Sequence, residues 1–358
     1  MKLSLIAGAR PNFMKIAPLA RALKQRQVSH RIVHTGQHYD QKMSETFFEE
    51  LEIPQPDVNL EVGSGQAIWQ VTEVMRRLET EFEAHRPDAV VVVGDVNSTL
   101  AAALTATKMD LPLAHVEAGL RSFDRTMPEE GNRIVTDALS AWLFTSEPSG
   151  DKNLVHEGVS EDKIFLVGNV MIDTLLANLS RARQKQTHQE LGLEARQFVL
   201  VTLHRPSNVD NPDRFESILK ALRDIAKKMP VVLPIHPRTR GKIDEFGFRD
   251  GNLAGLQLVE PLGYHDMLNL IDSARLVLTD SGGIQEETTA LEVPCLTLRE
   301  NTERPITVEV GSNQLVGWKT DDILLPAHTI LSGSVPQGRV PENWDGHAAE
   351  RIVDILLA

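Results

Sequence analysis

Short apolar runs alternate along this chain with longer segments in which apolar residues recur at helical spacing. The run 89–94 is almost continuous valine, and the run 198–203 opens a similar series in the second half of the chain. Strands buried on both faces have this composition, and strands that alternate with helices predict a mostly parallel sheet. The pattern therefore predicts an α/β fold.

The candidate strands form two series, separated by a polar stretch at 180–196 that predicts a helix end or a linker. The first series comprises 3–8, 30–36, 89–94, 113–116, 142–145 and 164–167, and the second comprises 198–203, 231–235, 256–259, 276–279 and 295–298. The 358 residues exceed the size at which a single core stops growing. We therefore predict two domains, 1–170 and 171–346, a cleft between them that closes on a ligand, and a terminal helix at 347–358.

Composition narrows the class of protein. The formal net charge of −13 disfavours a general nucleic-acid-binding protein, which usually presents a basic face. No apolar run reaches the ~18 residues of a membrane span, and the apolar N-terminus is too brief for a signal peptide. Cys295 is the only cysteine, so neither an intrachain disulfide nor Cys–His zinc spacing is expected. We expect a cytoplasmic protein without a metal ion or a membrane partner.

Carboxylates mark the strand ends of the first half. Asp95 and Glu117 each follow a candidate strand, and Glu129 and Glu130 stand at the start of a candidate helix. Ligands of open α/β sheets bind beyond the carboxyl ends of the strands. Several carboxylates at that edge predict proton-transfer chemistry.

Each carboxylate also has a structural interpretation. Asp95 suits the N-cap of the next helix, and Glu117 suits a surface salt bridge to Arg121. Glu130 suits the first turn of a helix because of the helix dipole. Glu129 lies four residues before Arg133, so the two side chains are predicted to pair on one helix face.

Cations also follow candidate strands. Arg10 and Lys15 stand at the start of the first helix, where free N–H groups favour anions, although two solvated cations on a turn are the alternative. His204 ends the first strand of the second half and is followed at once by Arg205, and His236 repeats the arrangement at the next strand end. We expect these groups to form a basic patch.

The turn at 280–287 is the strongest local motif. A strand, the small residues Ser281, Gly282 and Gly283, and a helix start predict a backbone cradle for an anion. Glu287 lies one turn into that helix, where it could accept hydrogen bonds from ribose hydroxyls. A capped turn with a glutamate balancing the helix dipole is the alternative.

Several motifs together resemble one family. They are G-A-R-P-N-F-M-K, T-G-Q-H-Y-D, G-D-V-N-S-T, H-V-E-A-G-L-R, P-E-E-G-N-R, L-H-R-P-S-N, D-S-G-G-I-Q-E-E and R-E-N-T-E-R-P, in this order from residue 8 to about 305. The chain resembles the non-hydrolysing UDP-N-acetylglucosamine 2-epimerases. The resemblance implies a GT-B fold of two Rossmann-like domains with a central cleft, in which the C-terminal helix packs back on the first domain.

The resemblance also implies a reaction. UDP-N-acetylglucosamine and UDP-N-acetylmannosamine would interconvert by anti elimination of UDP and its re-addition through 2-acetamidoglucal, without a cofactor or metal. The catalytic residues implied by position are Asp95, Glu117, Glu129 and His204. The substrate-binding residues implied by position are Arg10, Lys15, Arg133, Leu262, Met267, Ser281, Gly282, Gly283, Glu287 and Arg304. A homodimer is implied by the resemblance alone.

One part of the family pattern is altered. Many bacterial members have Glu, Gln and Arg where this chain has Ser207, Asp40 and Gly65, in a second substrate site that activates some members. The residues retained from that site are Gln37, His38, Gln66, Arg205 and His236.

Three alternative functions remain open. They are a hydrolysing epimerase or an epimerase of a modified UDP-sugar, a GT-B glycosyltransferase, and a non-enzymatic nucleotide-sugar binding protein.

Overall fold

The computed structural model describes residues 1–36, 50–248, 250–335 and 337–358, with all of their side chains except those of Arg10 and Asp250. The chain divides into two compact units. The first unit comprises Met1–Ala177 and Glu342–Ala358, and the second comprises Asn178–Pro341. Each unit is described by itself.

The first unit contains a parallel sheet of seven described strands in the order β3-β2-β1-β4-β5-β6-β7. The strands are β1 (Lys2–Ala7), β2 (Ser29–His34), β3 (Val58–Asn59), β4 (Ala89–Val93), β5 (Leu113–Val116), β6 (Trp142–Thr145) and β7 (Ile164–Leu166). Every residue of β4 is buried, as its valine-rich sequence predicts for a central strand covered on both faces.

The described helices of the first unit connect these strands. They are α1 (Arg10–Gln25), α2 (Ala67–Ala84), α3 (Asn97–Lys108), α4 (Pro128–Leu139), α5 (Pro148–His156) and the 3₁₀ turn Glu161–Lys163. Helix α6 (Val170–Gln184) follows β7, begins in the first unit and ends in the second. Helix α2 buries Val74, Leu78 and Phe82 at intervals of four, which is the apolar stripe of a helix packed on a sheet.

The second unit repeats the architecture with a parallel sheet of six described strands in the order β10-β9-β8-β11-β12-β13. They are β8 (Val199–Thr202), β9 (Val231–Pro234), β10 (Leu256–Val259), β11 (Leu276–Thr279), β12 (Cys295–Thr297) and β13 (Asn313–Leu315). The described helices are α7 (Thr187–Glu190), α8 (Pro206–Val209), α9 (Pro212–Ala226), α10 (Pro237–Glu245), α11 (Asp250–Leu253), α12 (Tyr264–Ser273), α13 (Gly282–Ala290), α14 (Ile306–Glu309) and α15 (Thr320–Leu331).

The final helix, α16 (Ala348–Leu357), belongs to the first unit and packs against α1. Its residues Ile352, Val353 and Leu356 are buried. The Asp173 carboxylate accepts hydrogen bonds from the N–H groups of Ala348 and Ala349, at 3.1 and 2.7 Å. The start of this helix is therefore capped by a side chain distant in sequence.

The predicted α/β class with two parallel sheets is confirmed. The stretch 180–196 holds the last turn of α6 and the short helix α7. Strands β3 and β13 escaped prediction because their sequences, Val58–Asn59 and Asn313–Leu315, contain no run of apolar residues. Within the described ranges, no helix is long and apolar enough to cross a bilayer.

Candidate active site

The loop between β1 and α1 is tied to β4 by one amide side chain. Asn12 accepts hydrogen bonds from the N–H groups of Gly8 and Ala9 through Oδ1, at 3.1 and 2.9 Å. Its Nδ2 donates to the carbonyl of Val93 at 3.0 Å. This bridge fixes the start of α1 beside the carboxyl end of β4, where the predicted acidic residues lie.

Glu117 directly follows β5 and lies in the left-handed backbone region, at φ 72°. Its buried carboxylate contacts the Nζ of Lys15 on α1, so the predicted salt bridge to Arg121 is wrong. A Cβ at Gly94 would lie 2.9 Å from that Nζ and 3.4 Å from Oε2 of Glu117. Gly94, at φ 66°, is therefore required both by its backbone conformation and by the closeness of this ion pair.

Asp95 lies one residue beyond Gly94 and pairs with Arg133 of α4. The N-cap of α3 is Val96, and no side chain caps that helix, so the alternative interpretation of Asp95 as an N-cap is wrong. Asn132 donates from Nδ2 to the Asp95 carbonyl at 2.8 Å. Both the side chain and the backbone of Asp95 are held by the first turns of α4.

Arg133 pairs with Glu130 at 2.7 Å in addition to Asp95, so the predicted partner Glu129 is wrong. Glu130 also accepts hydrogen bonds from the Ser122 N–H and hydroxyl and from the Phe123 N–H, at 2.9–3.0 Å. Burial acts to raise the pKa of Glu130, but these donors hold the pKa below its usual range. Glu130 is thus an ionised anchor.

Glu129, the neighbouring residue in the first turn of α4, differs sharply from Glu130. Its side chain is half-buried, and it makes no hydrogen bond or ion pair with the described part of the chain. The two adjacent carboxylates therefore have different capabilities: Glu130 has its oxygens occupied, whereas Glu129 keeps its oxygens available.

In the second unit, Asp280 organises the strand ends of β8 and β11. This fully buried carboxylate accepts the N–H groups of His204 and Arg205 at 3.0–3.2 Å and pairs with Nδ1 of His204 at 2.9 Å. Burial acts to raise the pKa of Asp280, but His204 and the backbone donors hold the pKa below its usual range. The ring of His204 is thereby turned so that Nε2 faces away from Asp280.

The start of α13 forms the predicted small-residue turn. Ser281 is the N-cap, and no side chain caps the helix. A Cβ at Gly282 would approach Nη1 of Arg304 to 2.7 Å, whereas a Cβ at Gly283 would meet no atom within 4 Å. The Arg304 side chain therefore packs against the start of α13 at Gly282, whereas a side chain at Gly283 would have open space.

Arg304 belongs to a network of charges around the buried Glu303. Its guanidinium lies 2.7 Å from both Glu286 and Glu303. Glu303 also pairs with Arg299 at 2.7 Å and with Arg205 at 3.4 Å. Burial acts to raise the pKa of Glu303, but the three guanidinium groups hold the pKa far below its usual range.

Glu287 lies deeper along α13 than the small-residue turn. Burial raises the pKa of Glu287 to about 7, against a hydrogen bond with Tyr264 that acts to lower it. Leu262 and Met267, two of the predicted substrate-binding residues, are both partly buried against the apolar cluster beneath α12 and α13. These positions lie on one side of the second sheet.

The residues predicted as remnants of a second substrate site are only partly described. Gln37 and His38, like Asp40, lie outside the described residues. Gln66 is the exposed N-cap of α2, and His236 is the exposed N-cap of α10, with its ring 5.7 Å from that of His204. Arg205 joins the Glu303 network described above.

Several residues of these clusters were not predicted as site residues, namely Asn12, Asn132, Asp280 and Glu303. A signal existed for Asp280, since it ends a strand, but a carboxylate buried beneath a site cannot be distinguished from one inside it by position alone. Among the residues described, no group of three or more His, Cys, Asp or Glu could hold a metal ion.

Comparison with known proteins gives one consistent family. The family described as UDP-N-acetylglucosamine 2-epimerase matches residues 21–357. A UDP-N-acetylglucosamine 2-epimerase of Methanocaldococcus jannaschii is 42% identical over 99% of both chains. A UDP-2,3-diacetamido-2,3-dideoxy-D-glucuronate 2-epimerase of Pseudomonas aeruginosa is 43% identical, also over 99% of both chains.

Solved structures agree with this assignment. The M. jannaschii enzyme in complex with UDP-GlcNAc and UDP superposes with a TM-score of 0.90 at 42% identity, covering 100% of this chain and 99% of that one. The enzyme of Neisseria meningitidis bound to UDP-GlcNAc gives a TM-score of 0.89 at 29% identity, with both chains fully covered. The GT-B-like fold of two Rossmann-like domains is thereby confirmed.

Proposed function

Because the chain belongs to the UDP-N-acetylglucosamine 2-epimerase family of isomerases, we propose that it interconverts UDP-N-acetylglucosamine and UDP-N-acetylmannosamine without releasing free sugar. The observation that carries the proposal is the group of carboxylates at the carboxyl edge of the first sheet. Asp95 and Glu117 are held there by dedicated cations, and Glu129 stands nearby in sequence with its carboxylate available.

The reaction requires a proton to leave C2 and return on the opposite face of the sugar. In the proposed route a carboxylate removes the C2 proton while the bond between C1 and the UDP oxygen breaks, which gives 2-acetamidoglucal and UDP. UDP then adds back to C1 as a second acid delivers a proton to the other face of C2. At least two carboxyl groups must change protonation state, and we assign this work to Asp95, Glu117 and Glu129.

Glu130 is excluded from the proton transfer by its contacts. Both of its oxygens accept hydrogen bonds from fixed donors, and its pKa lies below the usual range after the opposing effect of burial. We propose that Glu130 instead holds Arg133, which in turn orients the Asp95 carboxylate.

We assign binding and release of the UDP group to the second unit. The uncapped start of α13 offers backbone N–H groups to a diphosphate, with Arg304 and the ring of His204 as further donors. Asp280 binds Nδ1 of His204, so Nε2 remains for a phosphate oxygen. Stabilising the leaving diphosphate in this way lowers the barrier to elimination. Glu287 is assigned to the ribose, and Leu262 and Met267 to the uracil.

We assign Arg10 and Lys15 to the substrate as well. The Arg10 backbone begins α1, and Lys15 contacts Glu117. A cation beside a carboxylate at a strand end suits an anionic substrate that undergoes proton transfer.

One experiment separates this proposal from its rivals. Proton NMR of UDP-N-acetylglucosamine with the protein in D₂O should show the 2-epimer, with solvent deuterium at C2, and no acceptor should be needed. Free N-acetylmannosamine as the sole sugar product would instead indicate a hydrolysing enzyme. A glycosyltransferase or a binding protein would leave C2 undeuterated.

An epimerase of a modified UDP-sugar is the second candidate. The P. aeruginosa relative named for a diacetamido glucuronate is as similar in sequence as the M. jannaschii relative named for UDP-N-acetylglucosamine. If UDP-N-acetylglucosamine is not turned over, UDP-2,3-diacetamido-2,3-dideoxy-glucuronate should be assayed next. Deuterium at C2 of that sugar alone would assign the modified substrate.

We further propose a homodimer that acts in the cytoplasm on a UDP-sugar. The resemblance to the family supports the dimer, and Ile68 and Trp69 are exposed apolar residues, with 81% and 46% exposure. Sedimentation at micromolar concentration tests the oligomeric state, and a monomer at all concentrations would contradict it.

A further inference from the structure

His115 lies in the middle of β5 and has no role in the proton transfers assigned above. It is fully buried, and both of its ring nitrogens contact hydrogen-bond acceptors. Nδ1 lies 2.6 Å from Oδ1 of Asp137, and Nε2 lies 2.8 Å from the carbonyl oxygen of Gly94. The imidazole therefore bridges helix α4 and the peptide that precedes Asp95.

The two partners dictate how the ring is hydrogen-bonded. A carbonyl oxygen can only accept, so Nε2 of His115 donates to the Gly94 carbonyl. Asp137 already accepts from the Gly119 N–H at 3.1 Å and from Arg121 at 2.7 Å. Burial acts to raise the pKa of Asp137, but His115 and Arg121 hold the pKa below the usual range.

The contacts of His115 and Asp137 lie close in sequence to two acidic residues, Asp95 and Glu117. The Gly94 carbonyl belongs to the peptide bond whose nitrogen is that of Asp95, and Asp137 holds the Gly119 N–H two residues after Glu117. Gly94, Glu117 and Gly119 all have positive φ, between 66° and 77°. A chain with three such residues needs external hydrogen bonds to keep one conformation.

We propose that His115 is a positioning residue for the epimerisation, acting through the Gly94 carbonyl on Asp95. Asp137 keeps its hydrogen bonds with Arg121 and the Gly119 N–H without His115, so its contact with the ring is the lesser part of the role. The inference rests on the proposed function. It assigns to this histidine the orientation of Asp95, while the diphosphate contacts of the second unit are independent of it.

Two substitutions each keep one of the two hydrogen bonds of His115 and remove the other. In His115→Gln the amide nitrogen takes the place of Nε2 and keeps the donor to the Gly94 carbonyl. In His115→Asn the amide nitrogen takes the place of Nδ1 and keeps the donor to Asp137. A role confined to stability predicts that Asn is tolerated at least as well, since it leaves the buried Asp137 satisfied.

The proposal predicts the opposite order for catalysis. We expect kcat to fall about 10-fold in His115→Gln and about 10²–10³-fold in His115→Asn, because a small displacement of a catalytic group is costly. The Kd for UDP should stay within about twofold of wild type in both, because UDP is assigned to the second unit. Equal losses of kcat, or a larger loss in Gln, would overturn the proposal.

A matched control is available in the same sheet. His34 of β2 is also buried, and its Nδ1 contacts the Ala7 carbonyl at 3.2 Å. His34→Gln should leave kcat close to wild type. A loss of kcat there as large as in His115→Asn would show that any buried histidine of this sheet matters equally, which contradicts the proposal.

A measurement on the wild-type protein does not depend on the kinetics of the variants. With ¹⁵N-labelled histidine, the signals assigned by their loss in His34→Gln and in the His115 variants should show a protonated Nε2 in His115. A His115 ring protonated only on Nδ1 would overturn the proposal. Turnover of UDP-N-acetylglucosamine by the wild type is the separate test of the proposed function, so failure of one is distinguishable from failure of the other.

Discussion

In the first unit each fixed carboxylate at the sheet edge faces a cation, whereas in the second unit three guanidinium groups surround one carboxylate. Glu117 pairs with Lys15, and Asp95 and Glu130 share Arg133. Glu303 of the second unit is surrounded by Arg205, Arg299 and Arg304. Carboxylates are in excess in the first cluster, and cations outnumber carboxylates around Glu303.

The difference matches two kinds of chemistry. Paired carboxylates at a rigid strand end suit proton transfer, since geometry decides which oxygen reaches the substrate. Crowded cations suit a diphosphate, which supplies the missing negative charge. Burial, followed by the neighbouring Arg299, lowers the pKa of Arg205, as expected where positive charge is in excess. Each of the following predictions concerns a substitution in one of the two units.

Removing the charge of Glu117 should have the largest effect. We expect Glu117→Gln to lower kcat roughly 10²–10⁴-fold while the Kd for UDP stays unchanged, because only the proton transfer is lost. Steady-state kinetics and calorimetry with UDP provide the measurements. Glu79→Gln, on an exposed part of the same unit, is the control. Near-wild-type turnover in Glu117→Gln would remove this residue from the mechanism.

Removing the charge of Glu303 should act on folding. Glu303→Gln removes the counter-ion that three guanidinium groups share, of which Arg299 is buried, so we expect a loss of about 3–5 kcal/mol in the free energy of unfolding. The pKa of Glu303 is depressed in the folded state, so its contribution is full above about pH 4.3 and declines at lower pH.

Denaturant unfolding at pH 7 and pH 3.5 measures both effects. The gap between wild type and Glu303→Gln should narrow at the lower pH. Glu300→Gln, an exposed neighbour with 69% side-chain exposure, should differ little from wild type at either pH. A gap that widens in acid would mean that the pKa of Glu303 is not depressed.

Gly94→Ala tests the spacing in the first cluster without changing any charge. Its Cβ would crowd Nζ of Lys15 at 2.9 Å, so we expect kcat to fall about 10²-fold through displacement of Glu117. Gly63→Ala shares the strained positive φ, at 77°, but would meet no atom within 4 Å. If both variants lose kcat equally, the backbone strain alone is responsible and the Lys15–Glu117 contact is not.

Glu287→Gln should have the smallest effect on folding, and its sign depends on pH. Burial raises the pKa of Glu287 to about 7. The wild type therefore loses stability as pH rises from about 4.3 to 7, because the buried carboxyl becomes charged. The neutral Gln variant should be more stable than wild type by about 1–3 kcal/mol at pH 8.

Thermal or denaturant unfolding at pH 5 and pH 8 measures this difference. The advantage of the variant should shrink at pH 5, where most of the wild-type carboxyl is protonated. Glu292→Gln, on an exposed residue after α13, is the control for a simple loss of negative charge. An advantage of equal size at both pH values would contradict the raised pKa.

Much of the fold was accessible from the sequence. Valine-rich runs such as β4 predict central parallel strands because a strand covered on both faces must be apolar throughout. The predicted positions of Asp95, Glu117, His204 and Ser281 at strand ends agree with the structure, since a strand ends where its apolar run ends.

The side-chain partners of these residues could not be predicted from the sequence in the same way. Glu129 was predicted to pair with Arg133, because four residues on a helix lie on one face. In the structure Arg133 reaches Glu130 and Asp95 instead, one of them 38 residues away. Side-chain pairing across a sheet depends on distances that no local period contains.

The sequence by itself determined the two parallel α/β units, the strand ends at which functional groups lie, and the family, because these follow from local periods and ordered motifs. The tertiary structure alone decided which carboxylates are anchored and which are available. It brought Lys15 to Glu117, Asp137 to His115, and Arg205 to Glu303. Charge and hydrogen bonding act through space over a few ångströms, so their outcome is set by packing and not by order along the chain.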